Sequence, residues 1–368
     1  MGKINKEILY SLDDVAIMPH QFSFIEHRNE CNPFLNDGML PIFTAPMSSV
    51  IDGKNYKKFE DNKIIPILPR TISIDKRIAF LNNGYWCAFS LNEICTAFIN
   101  NNAFIGKSKM HVLIDIANGN MMKLMELIRK CKDKYNDNIL IMAGNVANPE
   151  TYDYLCQFGA DYVRLSVGCG NSCITSTNTG VHYPMASLIE KCREIYEKKV
   201  NMGLHSAYII ADGGMKGYSD IIKSLAIGAH YVMCGSIFNK ALESSAKTII
   251  DRILVENSDN TYKVCDEVDC DNETIIEKFR NKEIVLKKEF YGMSTKKAQV
   301  EMGRENLRTG EGLFKYQIVG YTLDGWVDNF IDYLTSAMSY SNSKNLKEFS
   351  NNSILNIISN NSVNLIKK

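Results

Sequence analysis

The 368-residue sequence predicts an α/β chain folded as a (β/α)8 TIM barrel, and three observations carry that prediction. Short apolar, β-branched runs recur at 40–44, 64–68, 86–89, 112–116, 139–142, 162–167, 207–211 and 231–233. The runs are continuously apolar rather than alternating, as in strands buried on both faces of a parallel sheet. Between them lie segments of helical period, such as 121–135, where Leu124, Leu127, Ile128 and Cys131 share one face. A doubly wound sheet is the structural alternative for such a pattern. Polar and glycine residues gathered at the strand ends favour the barrel, whose ligands bind at that mouth.

The first run is followed by Ala45-Pro46-Met47 and the second by Arg70. The fourth ends in Asp115 with Asn118-Gly119 beyond, and the fifth in Gly144-Asn145. After the sixth comes VGCGNSCITSTNTGVHYP (167–184), with Cys173 behind Gly168 and Gly170 and ahead of Thr175. A thiol at the end of a buried strand, in a glycine-rich turn, is presented as a nucleophile to a small molecule. A lone cysteine is as often inert packing, and glycines at one strand end often only make a turn. The seventh and eighth runs lead into Asp212-Gly213-Gly214 and Gly235-Ser236. Such loops present backbone N–H groups to a phosphate. Cys169 and Cys234 read as packing residues, His182 as a loop residue, and Trp86 and Trp326 as core or interface anchors.

The regular pitch stops after the eighth run. Residues 240–288 are polar and acidic and read as an inserted excursion, a hairpin and a short helix. Phe290-Tyr291-Gly292-Met293-Ser294-Thr295 follows, and then Arg308-Thr309-Gly310-Glu311-Gly312, so 290–320 reads as a mobile flap. A last helix is expected over 326–338. The barrel is thus assigned to 1–340 as one domain, and 341–368 to a polar, partly ordered C-terminal tail.

Lysine plus arginine equals aspartate plus glutamate at 42 each, which gives no electrostatic case for nucleic acid or an anionic membrane as partner. The 11 cysteines show no CxxC pair and no Cys/His zinc spacing, which points to reduced thiols in a cytoplasmic setting. No apolar signal core or 18-residue apolar run is present.

The stretches LDDV (12–15), APM, DIANGN, AGNV, the cysteine loop with TGVHYP, ADGG, CGS with Glu243-Ser244, FYGMS and GEG together resemble the IMP dehydrogenase/GMP reductase family. The resemblance covers nearly the whole chain and is closer to GMP reductase, as a divergent member. A regulatory tandem domain is absent after the second run, and Glu311 of GEG matches the reductase's acid/base glutamate. The resemblance implies an NADPH-dependent oxidoreductase (NADH being the other option) that converts GMP to IMP and ammonia. Cys173 would attack C2 of the purine, with Thr175 and Glu311 shuttling the proton. Asp212, Gly213, Gly214, Gly235, Ser236 and Tyr291 would bind ribose and phosphate; Met47, Met293 and Ser294 would frame the base, and Gly292 is a substrate-binding candidate. Asn171 and Arg308 are further substrate-side candidates. Arg70, Asp115, Asn118, Gly119 and Asn145 would line the nicotinamide side. Backbone carbonyls of Gly168, Gly170 and Cys173 resemble a potassium site, and the family implies a homotetramer.

The chain departs from the family at Ser166, where a glycine is usual, and at Asn171, where a phosphate-binding serine is usual. Met47-Ser48-Ser49 replaces Met-Asp-Thr and loses a carboxylate, and Arg70 replaces a lysine-bearing segment. Three other readings stay open on these grounds. They are an IMP dehydrogenase without its regulatory domain, an enzyme for a modified purine nucleotide, and a purine-nucleotide-binding homologue without turnover.

Overall fold

The computed structural model describes residues 4–101, 109–170, 172–254, 261–263, 265–303, 305–307, 309–359 and 362. A first strand, β1 (Val15–Met18), precedes eight parallel strands in one sheet. These are β2 (Ile42–Thr44), β3 (Ile67–Leu68), β4 (Trp86–Phe89), β5 (Met110–Asp115), β6 (Ile139–Val146), β7 (Tyr162–Leu165), β8 (Tyr208–Asp212) and β9 (Tyr231–Cys234). Their order is β2-β9-β8-β7-β6-β5-β4-β3. Ile65, just before β3, bridges in parallel to Phe43 of β2 and brings the ends together. Two backbone bonds make that seam, Ile65 to Ile42 (2.9 Å) and Thr44 to Ile65 (3.0 Å). The sheet is therefore the expected (β/α)8 TIM barrel, not an open doubly wound sheet.

Side chains alternate between the interior and the helix layer, because successive residues of a strand face opposite ways. Phe43, Ala88, Leu113, Met142, Ile210 and Met233 fill the barrel. Their neighbours Ile42, Cys87, Val112, Ile141, Ile209 and Val232 pack outward. The helix Met122–Tyr135 buries Leu124, Leu127, Ile128 and Cys131 in that outer layer, as its periodicity predicts. Two steps beyond Leu113, Tyr162 and Ile210, the same alternation turns Asp115, Arg164 and Asp212 inward. An apolar barrel floor thus gives way to a charged layer at the mouth.

The excursion and the flap share one antiparallel sheet. It comprises β10 (Thr248–Leu254), β11 (Thr261–Lys263), β12 (Glu267–Val268), β13 (Ile284–Tyr291) and β14 (Phe314–Ile318), with β13 between β10 and β14. The helix Glu273–Arg280 crosses between β12 and β13. Buried polar groups rivet this sheet to the barrel. The Asn239 amide donates to the Ser49 (2.7 Å) and Glu289 (2.9 Å) carbonyls, and Lys288 Nζ to those of Leu242 (2.8 Å) and Ser244 (2.6 Å). Burial pulls the Lys288 ammonium below its ordinary range, against the opposing pull of Cys270 and Glu243.

The last barrel helix spans Leu323–Tyr340, longer than expected at both ends. Of the expected polar tail, 341–368, residues 360, 361 and 363–368 lie outside the described ones. Residues Leu346–Asn352 form a helix, and β15 (Ile354–Ile357) pairs antiparallel with β1. Polar composition hid this because Phe349 is the one fully buried apolar side chain among the described residues there, with Leu346 and Leu355 packed beside the core, while Ser341 and Ser343 are fully enclosed. No helix among the described residues is long and apolar enough to cross a membrane.

Candidate active site

Cys173 stands half-buried in the loop after β7, its N–H donating to the Gly170 carbonyl at 2.9 Å. The thiol donates to Thr175 Oγ1 at 3.2 Å, and that hydroxyl donates to Glu311 Oε2 at 2.6 Å. Backbone contacts hold the flap to the loop in this register. Leu313 N–H donates to the Ser172 carbonyl (2.7 Å), Ile174 N–H to that of Glu311 (3.0 Å), and Cys173 bridges Gly312. The three residues chosen from sequence as catalytic are thus joined in one line of hydrogen bonds. Ser172, absent from that choice, supplies the carbonyl that anchors the flap.

Beside the cysteine loop lies a cleft of ≈ 440 Å³, part of it open to solvent. Met47, Asp212, Gly213, Gly214, Gly235 and Ser236 line it, joined by Gly170 and Ser172. Gly213 has φ +86, and a Cβ there would come 3.2 Å from Gly170 N, so the two loops pack backbone to backbone.

The charged layer forms the next wall. Arg164, 6% exposed, donates from NH1 to Asp115 Oδ1 (2.8 Å) and from NH2 to Asp212 Oδ2 (2.8 Å). Arg70 Nε donates to Asp115 Oδ2 (3.1 Å), and Asn145 Nδ2 to Asp212 Oδ2 (2.7 Å). Burial alone would raise Asp115, but the Arg70 and Arg164 guanidiniums outweigh it and hold its carboxyl below the usual range. Arg164 was missed in the sequence, although a charge inside the apolar run YVRLSV was the available signal. Gly119 N–H donates to the Asn145 carbonyl (2.8 Å), placing its loop at this wall, while Asn118 is exposed.

The remaining candidates sit differently. Tyr291 is buried at the end of β13, stacked on Phe314, with its hydroxyl donating to Glu301 Oε1 at 2.7 Å. Ser48 Oγ donates to Glu301 Oε2 at 2.8 Å. Glu301 was not singled out, because a glutamate on a short polar helix carries no sequence signal. Gly292 abuts Ser172, where a Cβ would lie 2.9 Å from its Oγ, and Ser294 lies against Gly312. Met293 is half-buried and does not line the cleft. Asn171 and Arg308 lie outside the described residues. The Gly168 carbonyl accepts from Ser176 Oγ (2.9 Å) and that of Gly170 from Cys173 N–H. Burial, first of all, raises the Cys169 thiol, and Cys234 likewise.

A parallel barrel with a thiol, a hydroxyl and a carboxylate in line at its C-terminal mouth is the arrangement of a small-molecule enzyme. Residues 100–365 match the model of the IMP dehydrogenase / GMP reductase domain. A GMP reductase of Staphylococcus epidermidis is 30% identical over 255 residues, covering 66% of this chain and 74% of that protein. One from Staphylococcus aureus is 30% identical over 258 residues with the same coverage. The chain belongs to the IMP dehydrogenase/GMP reductase family.

Proposed function

We propose that this chain is a GMP reductase-type oxidoreductase that converts GMP to IMP and ammonia with NADPH as reductant. The observation that carries this reading is the line Cys173–Thr175–Glu311. Sulfur attack on C2 of the purine forms the S–C2 bond, and the thiol proton passes through Thr175 and Glu311 to the C2 amino nitrogen. The C–N bond then breaks with ammonia as leaving group, leaving a neutral thioimidate; an amide ion would leave far more slowly. A nicotinamide cofactor, when bound, supplies the hydride that C2 takes up. The S–C2 bond breaks as the purine C2=N3 bond re-forms, and the Cys173 thiolate recovers a proton through Thr175. Asp212 and the glycine loops around the cleft bind ribose and phosphate, and Met47 bounds the base.

The wall of Arg70, Asp115, Arg164 and Asn145, with the exposed Asn118, fits a polar carboxamide-bearing ring at the barrel mouth. The carbonyl oxygens at 168, 170 and 173 suit a hard monovalent cation, and each carbonyl bonded within the loop keeps one lone pair free. All 11 cysteines are unpaired, which fits a reducing compartment.

The test is purified protein with GMP, NADPH and potassium, followed by NADPH absorbance beside a Cys173→Ala control. Oxidation with matching IMP and ammonia, lost in the control, is the expected result. Turnover of IMP with NAD and none of GMP would replace this reading with the dehydrogenase. Nucleotide affinity without hydride transfer under either cofactor would leave a binding protein.

A further inference from the structure

We propose that Glu301 is a specificity residue that opposes the substrate's phosphate, because it holds the two hydroxyls, Ser48 and Tyr291, that a nucleoside monophosphate would use. The inference rests on the purine-nucleotide reading above, in which Tyr291 serves the ribose-phosphate end. Glu301 closes the helix Lys296–Glu301, and its carboxylate is shared out completely. Oε1 accepts from Tyr291 at 2.7 Å and Oε2 from Ser48 at 2.8 Å. A serine and a tyrosine each have one hydroxyl proton. Both are committed to Glu301, so neither hydroxyl can donate to a phosphate until the carboxylate lets go.

The two oxygens lie 3.3 Å apart and converge on one anionic acceptor. Met47 and Phe290, the residues just before them, line the cleft, while Ser48 and Tyr291 themselves do not, so the pair stands beside the cleft wall rather than in it. The surrounding charge does not favour a second anion. Lys297 lies 4.8 Å from the centre of the Tyr291 ring, but it is paired with Glu289, so Glu301 leaves the corner with net negative charge. A phosphate must therefore displace a like charge to reach these donors. Glu301 is exposed, so water receives the carboxylate when it swings away. A nucleoside lacks the phosphate and leaves this contact in place. The carboxylate that Ser48 does not itself carry is thus returned to the same corner from the flap, and it is displaceable.

The measurement is the dissociation constant of GMP and of guanosine, by calorimetry, for the native chain, Glu301→Gln and Ser48→Ala. Glutamine keeps an acceptor for the hydroxyls and removes the charge. We expect Glu301→Gln to bind GMP about tenfold more tightly while guanosine stays within about twofold. A GMP affinity that does not rise, or an equal gain for guanosine, overturns the proposal. Should Glu301→Gln fail to fold, Glu301→Ala takes its place with the same two outcomes. In Ser48→Ala GMP binding should weaken while guanosine holds, since one of the two donors is gone, and an unchanged GMP affinity overturns the proposal. If none of the three proteins binds either ligand, the purine-nucleotide reading falls, and the proposal falls with it.

Discussion

The Thr175 hydroxyl donates to the Glu311 carboxylate at 2.6 Å, joining residues 136 positions apart across the seam between barrel loop and flap. The same hydroxyl accepts from Cys173, so Thr175 links the thiol to the carboxylate. Glu311→Gln keeps the shape and removes the proton acceptor. Its kcat for GMP reduction should fall by about 10²–10⁴-fold, with little change in KM. Steady-state kinetics alongside a denaturation curve check this. A loss of activity that tracks a loss of stability would make Glu311 a structural residue.

Arg164 compensates two inward carboxylates at once, Asp115 and Asp212. Among the described residues, Arg164→Leu would leave Asp115 to Arg70 and Asp212 to the neutral Asn145 amide, with no cation. Removing one partner from a buried ionic group costs about 3–5 kcal/mol, far more than an exposed pair contributes. Urea unfolding of Arg164→Leu should show a loss of that size, with Arg164→Lys in between because a lysine cannot span both carboxylates with a fork. A loss below about 1 kcal/mol would mean that water already serves these groups.

Sequence made the barrel legible because buried parallel strands are continuous apolar runs, and 86–89 is recovered residue for residue as β4. The line Cys173–Thr175–Glu311 was legible through motifs, although contact between its ends depends on β13 and β14 pairing. What stayed hidden was set by tertiary context. Arg164 is marked as interior only once strand register shows which way it points. Glu301 and Ser48 meet across the flap and the first loop, a distance no local pattern spans. The tail's order depends on an antiparallel partner, β1, near the other end of the chain.

His230 gives the fold an acid sensitivity. Its Nδ1 accepts from the Ile209 N–H at 3.0 Å, and its Nε2 faces the Arg193 guanidinium at 3.4 Å. Burial first, and then the Arg193 charge, pull its pKa from the usual 6.5 down to about 3. The unfolded chain therefore takes up this proton before the folded one. Stability from His230 is complete above about pH 6.5 and drains as pH falls toward 3, by up to about 1.4 kcal/mol per unit. His230→Asn removes the titration. Between pH 7.5 and 5 the native chain should lose ~2 kcal/mol more unfolding free energy than the variant. Equal losses in the two proteins would show that the folded ring still titrates normally.

Phe349 anchors the C-terminal segment. Its side chain is fully buried against the outer core, and four residue pairs of β1 and β15 follow directly from the helix that carries it, from Met18↔Ile354 to Val15↔Ile357. Arg193 NH2 adds a 3.1 Å bond to Asn351 Oδ1. Truncating a buried phenylalanine costs about 3–5 kcal/mol through lost transfer energy and the cavity left behind. Phe349→Ala should lose that much in urea unfolding and should also expose the β1–β15 amides to hydrogen exchange, since the ladder then lacks its anchor. The cleft residues are carried by other elements, so the KM for GMP should hold. A stability change near zero with unaltered exchange would mean that β15 docks through its ladder alone, with the helix as a passenger.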